Sequence, residues 1–497
     1  MRAAKQSAHG AKINMRKIEH FIGGQVVGGQ GVRWGNVFDP STGKVQAQVH
    51  LASQEDVAIA VDKAKTAQVA WAATNPQKRA RVMFAFKGLL ERDMEELARL
   101  LSSEHGKTVP DAKGDIQRGL EVIEFACGIP HLLKGEFTSG AGLALICIRC
   151  ACPWGSWQGS RPLTFPAMIP MWMFGVAIAC GNAFICKPSE KDPSVPMRLG
   201  ALLKEAGLPD GIYNVVNGDK VVVDALLEHP DVKAISFVGS SAVAEYIYAK
   251  GATYGKRVQA MGGAKNHAII MPDADLDQVT NDLMGAGYGS AGERCMAISV
   301  AVPVTDKVAD ALVARLKPRV EALKVGPSLD PDVDYGPLIS KEHRANVIGW
   351  IDKSAEEGAE LVVDGRKISF QGYEEGYYLG GSLIDRVTPT MASYKTEIFG
   401  PVLALMRADS LEDAVTLINQ SRYGNAASIF TSSGKSAREF KYRVKAGNIG
   451  VNIGVAAPSA SFPFGGQKES FYGDLHGQGS DSIEFFTERK VVIERWT

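Results

Sequence analysis

From residue 182 to residue 240 the chain alternates between two local patterns, and this alternation limits its fold more than any other feature. The segments NAFICKPS, GIYNVVNG and VKAISFVGS are short and nearly continuous in apolar residues. Between them, VPMRLGALLKEAGLP and DKVVVDALLEHP carry apolar residues at helical spacing. A strand buried on both faces loses the in–out alternation of a surface strand, and a parallel neighbour can be reached only through a crossover such as a helix. The pattern predicts βαβ units and a buried parallel sheet, an α/β architecture.

A second α/β series begins at KNHAIIMP and includes CMAISVAVPV, KVADALVARLKPRVEAL and AASIFTSS. The 497 residues are too many for one core. Two α/β domains are therefore expected, with ligands in a cleft at the carboxyl ends of the strands. Residues 50–135 read as helices, and the tail DSIEFFTERKVVIERW reads as a terminal strand. The uncharged run 163–186 is long enough to cross a bilayer. Pro166, Pro170, Gly175, Gly181 and Asn182 interrupt it, however, and no second span follows. It predicts a buried helix feeding a buried strand.

Charge narrows the partners. Lys+Arg and Asp+Glu both number 55, a balance that argues against nucleic acid or an anionic membrane. Seven cysteines in so long a chain are not a disulfide framework and point to a reducing compartment. Residues 1–18 are basic and contain no acid, as in a transit peptide. Their shortness and weak amphipathic pattern favour instead an upstream start, with Met15 opening the protein. The expected location is the cytoplasm, or the mitochondrial matrix if 1–14 belong to a transit peptide.

Several motifs carry chemistry. GYGSAGERCMAIS sets Cys295 behind a turn of small residues and beside Arg294, whose guanidinium would draw the thiol toward thiolate. SFVGSSAVAEYI ends a strand at Gly239-Ser240 and opens a helix whose N-terminus suits a phosphate. CKPSE ends another strand with Lys187 and Glu190, residues suited to hydroxyl and phosphate contacts. TEIFGPV and FPFGGQKES are loops of Gly, Pro and Phe.

Taken together, CKPSE, FVGSS, GGAKN, GERC, EIFGPV and PFGGQK stand in the order and spacing of the aldehyde dehydrogenase superfamily. The resemblance runs over nearly the whole chain from about residue 18. GGAKNHAIIMPDADLD, RGLEVIEFACGIPHLLKGEF and GDLHGQGSDSIEFFT narrow it to the CoA-acylating branch acting on methylmalonate or malonate semialdehyde. The implied fold is a Rossmann-like NAD domain (15–135 and 151–261), an α/β catalytic domain (262–445) and a small β oligomerisation element (136–150 and 470–497). Residues 1–14 fall outside it, and a homotetramer or dimer is implied. The implied cofactor is NAD, with coenzyme A as co-substrate.

The resemblance also implies roles. Cys295 would attack the aldehyde, and the thiohemiacetal would give hydride to NAD and leave a thioester. Lys187, Glu190 and Lys191 would meet the adenosine side of NAD, and Ser240 with Gly239 the pyrophosphate. Leu163, Gly262 and Phe399 would complete the cofactor site, and Glu397 would hold the nicotinamide ribose. Arg118 and Arg294 would hold the substrate carboxylate, a task suited to a planar bidentate donor. Hydrolytic members have a Glu two residues before the Gly-Gly of MGGAK, where this chain has Ala260. Without that base, water attacks the thioester poorly while a CoA thiol needs far less help. In this branch the β-carboxylate leaves before transfer, giving propanoyl-CoA or acetyl-CoA. Two other readings stay open: a CoA-independent dehydrogenase, which Ala260 opposes, and a catalytically impaired member.

The impaired reading rests on ICIRCACPWGSWQGSRPLTFPAM, which begins at residue 146. Cys147, Cys150 and Cys152 are followed by no further ligands at metal spacing, so a metal knuckle is not expected. Family members carry GITPFNFPAM here, whose Asn donates to the developing oxyanion; this chain has Thr164 in its place. One choice of codons for VVAGITPFNF, read one base late, gives SWQGSRPLTF, and one for SVRLPL gives RCACPW. The stretch 143–165 thus reads as an out-of-frame segment bounded by two compensating single-base changes, with Gln158 and Arg161 where an apolar strand should pass.

Overall fold

The computed structural model describes residues 15–139, 146–153, 156–160 and 165–495. Residues 1–14, Arg161, Leu163 and Thr164 lie outside them, and with them the expectations placed there.

The alternation read from 182–240 folds as expected. Strands Ala183–Lys187, Tyr213–Val215 and Val232–Val238 are separated by helices Ser194–Glu205 and Lys220–Glu228. They belong to an eight-stranded sheet. Its parallel centre runs from Arg257–Met261 through Val232–Val238, Ser156–Ser160 and Ala183–Lys187 to Tyr213–Val215. Antiparallel strands close both edges: Phe471–Tyr472 on one side, and His20–Ile22 with Gln25–Val27 on the other. Ser156–Ser160, inside the anomalous stretch, is a central strand, with Gln158 opposite Ile235 and Ile185.

The uncharged run forms the helix Met168–Cys180, buried along its whole length. It feeds the equally buried strand Ala183–Lys187. Among the described residues no helix is long and apolar enough to cross a membrane. The helix packs against Val109–Cys127, whose buried Asp115 accepts the Met168 amide at 2.7 Å. That bond satisfies one of the orphan donors at a helix start that has no side-chain cap.

The second series builds a seven-stranded sheet over its own apolar core. Strands Ser382–Asp385, Val402–Leu405, Ile298–Pro303, Asn266–Ile270, Ala426–Phe430 and Asn448–Val451 are parallel neighbours. Glu360–Val363 adds an antiparallel edge. This sheet extends past residue 445, the expected limit of the catalytic unit, to Asn448–Val451.

A separate three-stranded sheet joins Glu136–Ser139, Ile146–Pro153 and Thr487–Glu494, all antiparallel. The tail differs from its reading as one strand. Gly479–Phe485 is a helix, and only Thr487–Glu494 is extended. Ile483 and Phe485 of the helix, with Phe486 at its C-cap, all enter the first core. Phe471 and Tyr472, expected with the oligomerisation strands, instead pair with Met261 and Ala260 at the edge of the large sheet.

Candidate active site

The site is built on three turns that meet between the two sheets. The first follows the helix Leu276–Tyr288. Ser290, Ala291 and Gly292 all have left-handed backbones, at φ 50, 54 and 71°. A Cβ at Gly292 would stand 2.1 Å from the Gly400 carbonyl oxygen, so only glycine fits there. The turn delivers Cys295, and two amides fix its carbonyl: Asn266 donates at 2.9 Å and Asn425 at 2.8 Å. The Asn266 side-chain oxygen in turn accepts from the Ala426 amide at 2.9 Å, which ties both strands to the nucleophile.

The second turn joins Arg257–Met261 to Asn266–Ile270. A Cβ at Gly262 would lie 2.4 Å from the Glu469 carbonyl oxygen, and one at Gly263 would lie 2.5 Å from Glu397 Oε2. These glycines leave room for close approach of the backbone. Ser241 Oγ accepts from the Gly263 amide at 3.0 Å and donates to the Glu469 carbonyl at 2.7 Å. It thereby locks the start of the helix Ser241–Thr253 to this turn. Ser240 is the N-cap of that helix, yet its side chain makes no capping bond.

The third turn carries Glu397, Ile398 and Phe399, with Phe399 at φ 58°. Glu397 Oε1 accepts from the Ala264 amide at 2.8 Å. The Phe399 carbonyl accepts from His343 Nε2 at 2.6 Å.

A cleft of about 280 Å³ opens where these turns meet, lined by Gly239, Ser240, Gly262, Cys295, Glu397 and Phe399. Six residues expected at the site are thus brought to one cavity. A second, tighter cavity shares Cys295, Glu397 and Phe399 and adds Arg294 and Lys265. Cys295 stands where the two join. Glu397 is the single carboxylate among the described residues lining either one. Ala260 is fully buried in its strand, opposite Phe237 and Tyr472.

Lys187, Glu190 and Lys191 sit at the carboxyl end of Ala183–Lys187, outside the lining of that cleft. The Lys187 ammonium is buried and donates to the Pro188 carbonyl at 2.6 Å, with Glu190 at 3.4 Å. Lys191 lies 3.6 Å from Glu342.

The arginines are engaged. Arg294 Nη2 pairs with Asp111 Oδ1 at 2.6 Å, and its Nε donates to Ser290 Oγ at 3.3 Å. Arg118 pairs with Glu121 at 2.6 Å and donates to the Pro458 carbonyl at 2.7 Å. Asp111 and Arg118 lie seven residues apart on the helix Val109–Cys127, hence on one face. One expectation needs correction here. Burial first, and then the Glu397 carboxylate, push the Cys295 thiol up to about 12, and the downward pull of Arg294 ranks behind both. With its guanidinium committed to Asp111, Arg294 does not make the resting thiol acidic.

Three contributors escaped sequence reasoning. Asn425 reaches Cys295 from 130 positions away, and nothing local marks it. Asn266 stands inside GGAKN, but its partner lies 29 positions on, in a separate motif. His343 lines the cleft from a helix start that carries no motif.

The aldehyde dehydrogenase family profile matches residues 27–492. The chain belongs to the aldehyde dehydrogenase family. As an aldehyde dehydrogenase it is 52% identical over 482 residues to a malonate-semialdehyde dehydrogenase of Pseudomonas aeruginosa, covering 97% of each chain. A solved structure from Sinorhizobium meliloti, provisionally named a methylmalonate-semialdehyde dehydrogenase and complexed with NAD, superposes with a TM-score of 0.96. That protein is 56% identical, and the match covers 97% of this chain and 98% of the other. A methylmalonate-semialdehyde dehydrogenase of Oceanimonas doudoroffii gives the same TM-score at 50% identity, covering 97% and 99%.

Proposed function

We propose that this aldehyde dehydrogenase oxidises malonate or methylmalonate semialdehyde with NAD and passes the acyl group to coenzyme A. One observation carries the reading. Cys295 stands at the junction of two cavities in which Glu397 is the single described carboxylate, with Ala260 where a hydrolytic base would be. The names of the similar proteins from Pseudomonas, Sinorhizobium and Oceanimonas point to the same substrates.

The residues present suit NAD. Gly262 and Gly263 leave a cradle that a Cβ would fill, and uncapped Ser240 opens a 13-residue helix toward the cleft. In this reading Gly239 and Ser240 hold the diphosphate, and Lys187, Glu190 and Lys191 the adenosine side. Gly262 and Phe399 shape the pocket, and Glu397 holds the nicotinamide ribose. When bound, NAD would supply the hydride acceptor.

Cys295 adds to the aldehyde carbon, its thiol proton leaves, and a thiohemiacetal forms. Loss of hydride turns this adduct into a thioester. Arg118 and Arg294 receive the substrate carboxylate from the side of Val109–Cys127; it leaves as carbon dioxide, the bonding pair passes into the thioester as an enolate, and the α-carbon takes a proton from water. A CoA thiol then attacks the thioester and frees Cys295.

The three-stranded sheet is the assembly surface of a dimer or tetramer. Val491 and Ile493, each 66% exposed on Thr487–Glu494, support this, since an exposed apolar strand invites a partner. Free Cys127, Cys180, Cys186 and Cys295 fit a reducing cytoplasm.

NADH formation with each semialdehyde, with and without CoA, tests the function. Turnover should need a semialdehyde and fall sharply without CoA. Equal rates without CoA would replace this reading with a hydrolytic one.

A further inference from the structure

Lys265 is a buried cation with no described carboxylate within ion-pair distance and no part in the reaction as drawn. Its side chain stands at the start of Asn266–Ile270, on the wall of the tighter cavity. Its ammonium donates to two backbone carbonyls, Ser393 at 3.0 Å and Thr396 at 2.8 Å. Thr396 immediately precedes Glu397. The neighbouring Ala264 amide donates to the Glu397 carboxylate itself. Two consecutive residues of one turn therefore grip the Glu397 segment, one by its main chain and one by its side chain. From the far side His343 grips the Phe399 carbonyl. Phe399 lies in the left-handed region without being glycine, so the segment needs such restraint to keep its shape.

We propose that Lys265 is the positioning residue for Glu397, its ammonium pinning the backbone ahead of Glu397 so that the carboxylate stays seated at the junction of the two cavities. This inference rests on the reading of the larger cleft as the NAD site. Its functional consequence is cofactor affinity, because an ordered carboxylate binds a ribose hydroxyl without first losing freedom of its own. Electrostatics act in the same direction. Burial raises the Glu397 carboxyl to about 7, and Lys265 pulls it back toward ionisation. Burial lowers Lys265 to about 8, and Glu397 opposes that fall. The other titratable groups facing Glu397 are Cys295 from the nucleophile turn and Tyr423 from the strand Tyr423–Gly424.

The test is a double-mutant cycle on the full-length protein, read as the Kd for NAD by binding titration. Lys265→Met should weaken NAD about tenfold, the loss of charge-assisted hydrogen bonds. The KM for semialdehyde should change far less. In a Glu397→Gln background the same substitution should weaken NAD by less than about twofold, because the residue it positions is already disabled. The midpoint of NAD binding against pH should move upward in Lys265→Met, since Glu397 then holds its proton to higher pH. If Lys265→Met does not fold, Lys265→Gln, whose amide can still donate to a carbonyl but carries no charge, serves in the same cycle. Additive losses in the double variant overturn the inference while leaving the NAD reading intact. Wild-type protein that fails to bind NAD overturns both.

Discussion

Arg294 offers the sharpest test of how the substrate is read, because its guanidinium is shared at rest. Two of its five N–H donors are committed, one to Asp111 at 2.6 Å and one to Ser290 at 3.3 Å. A substrate carboxylate therefore joins Asp111 on the same cation instead of taking it whole. Its contribution belongs at the low end of the range for charge-assisted bonds, about 1.5 kcal/mol, or about tenfold in KM. Arg294→Ala should raise the KM for malonate semialdehyde by about that factor and leave the KM for propanal, which has no carboxylate, nearly unchanged. The change also leaves Asp111, whose side chain is only 19% exposed, without its cation and with the Ser290 amide at 3.2 Å still donating to it, a loss of about 1–3 kcal/mol of stability. Arg294→Ala with Asp111→Asn removes that unneutralised charge, so it should recover thermal stability without recovering KM. Asp111→Asn alone frees the guanidinium and should lower the semialdehyde KM. Steady-state NADH formation with both aldehydes, beside thermal melts, measures every arm. An equal rise for propanal and the semialdehyde would refute the claim that Arg294 reads a carboxylate.

Arg118→Ala should behave likewise, since Arg118 too shares its guanidinium, with Glu121 and the Pro458 carbonyl; a change in kcat alone would contradict this. Cys295→Ala should abolish NADH formation while NAD binding by titration persists, and retained turnover would remove Cys295 as the nucleophile. With the free-enzyme thiol held near 12, alkylation of Cys295 in the absence of NAD should keep rising about tenfold per pH unit from pH 7 to pH 9; a plateau near pH 8 would show a thiol far more acidic than its burial implies. Protein made with residues 143–165 as they stand should be poorly soluble or nearly inactive. Replacing the stretch with the alternative-frame peptide should restore activity, and Thr164→Asn alone should restore little; full activity of the unaltered chain would defeat the frame-shift reading, as would resequencing that finds an unbroken frame.

What local physics controls is legible in the residues alone. The burial of NAFICKPS and VKAISFVGS shows in their unbroken apolarity, and the helices between them show in a period of 3.6, because backbone hydrogen bonding sets both repeats within a few residues. The glycines of MGGAK and GERC were legible for a related reason: a missing Cβ announces a crowded backbone wherever the chain later folds. Which remote groups meet depends on the closed fold. Asn425 comes to the Cys295 carbonyl because Ala426–Phe430 lies beside Asn266–Ile270, a neighbour relation that neither strand encodes alone. Arg294 looks like a thiol activator in GERC, where adjacency in sequence suggests adjacency in space. In the fold its guanidinium turns to Asp111, 183 positions away, and burial governs the thiol instead. The tail segment DSIEF became a helix whose Ile483 and Phe485 enter the first core, a contact that its local pattern does not show. A local pattern fixes an element when backbone periodicity is the strongest force on it; charge state and partner choice follow from burial, which only the closed fold supplies.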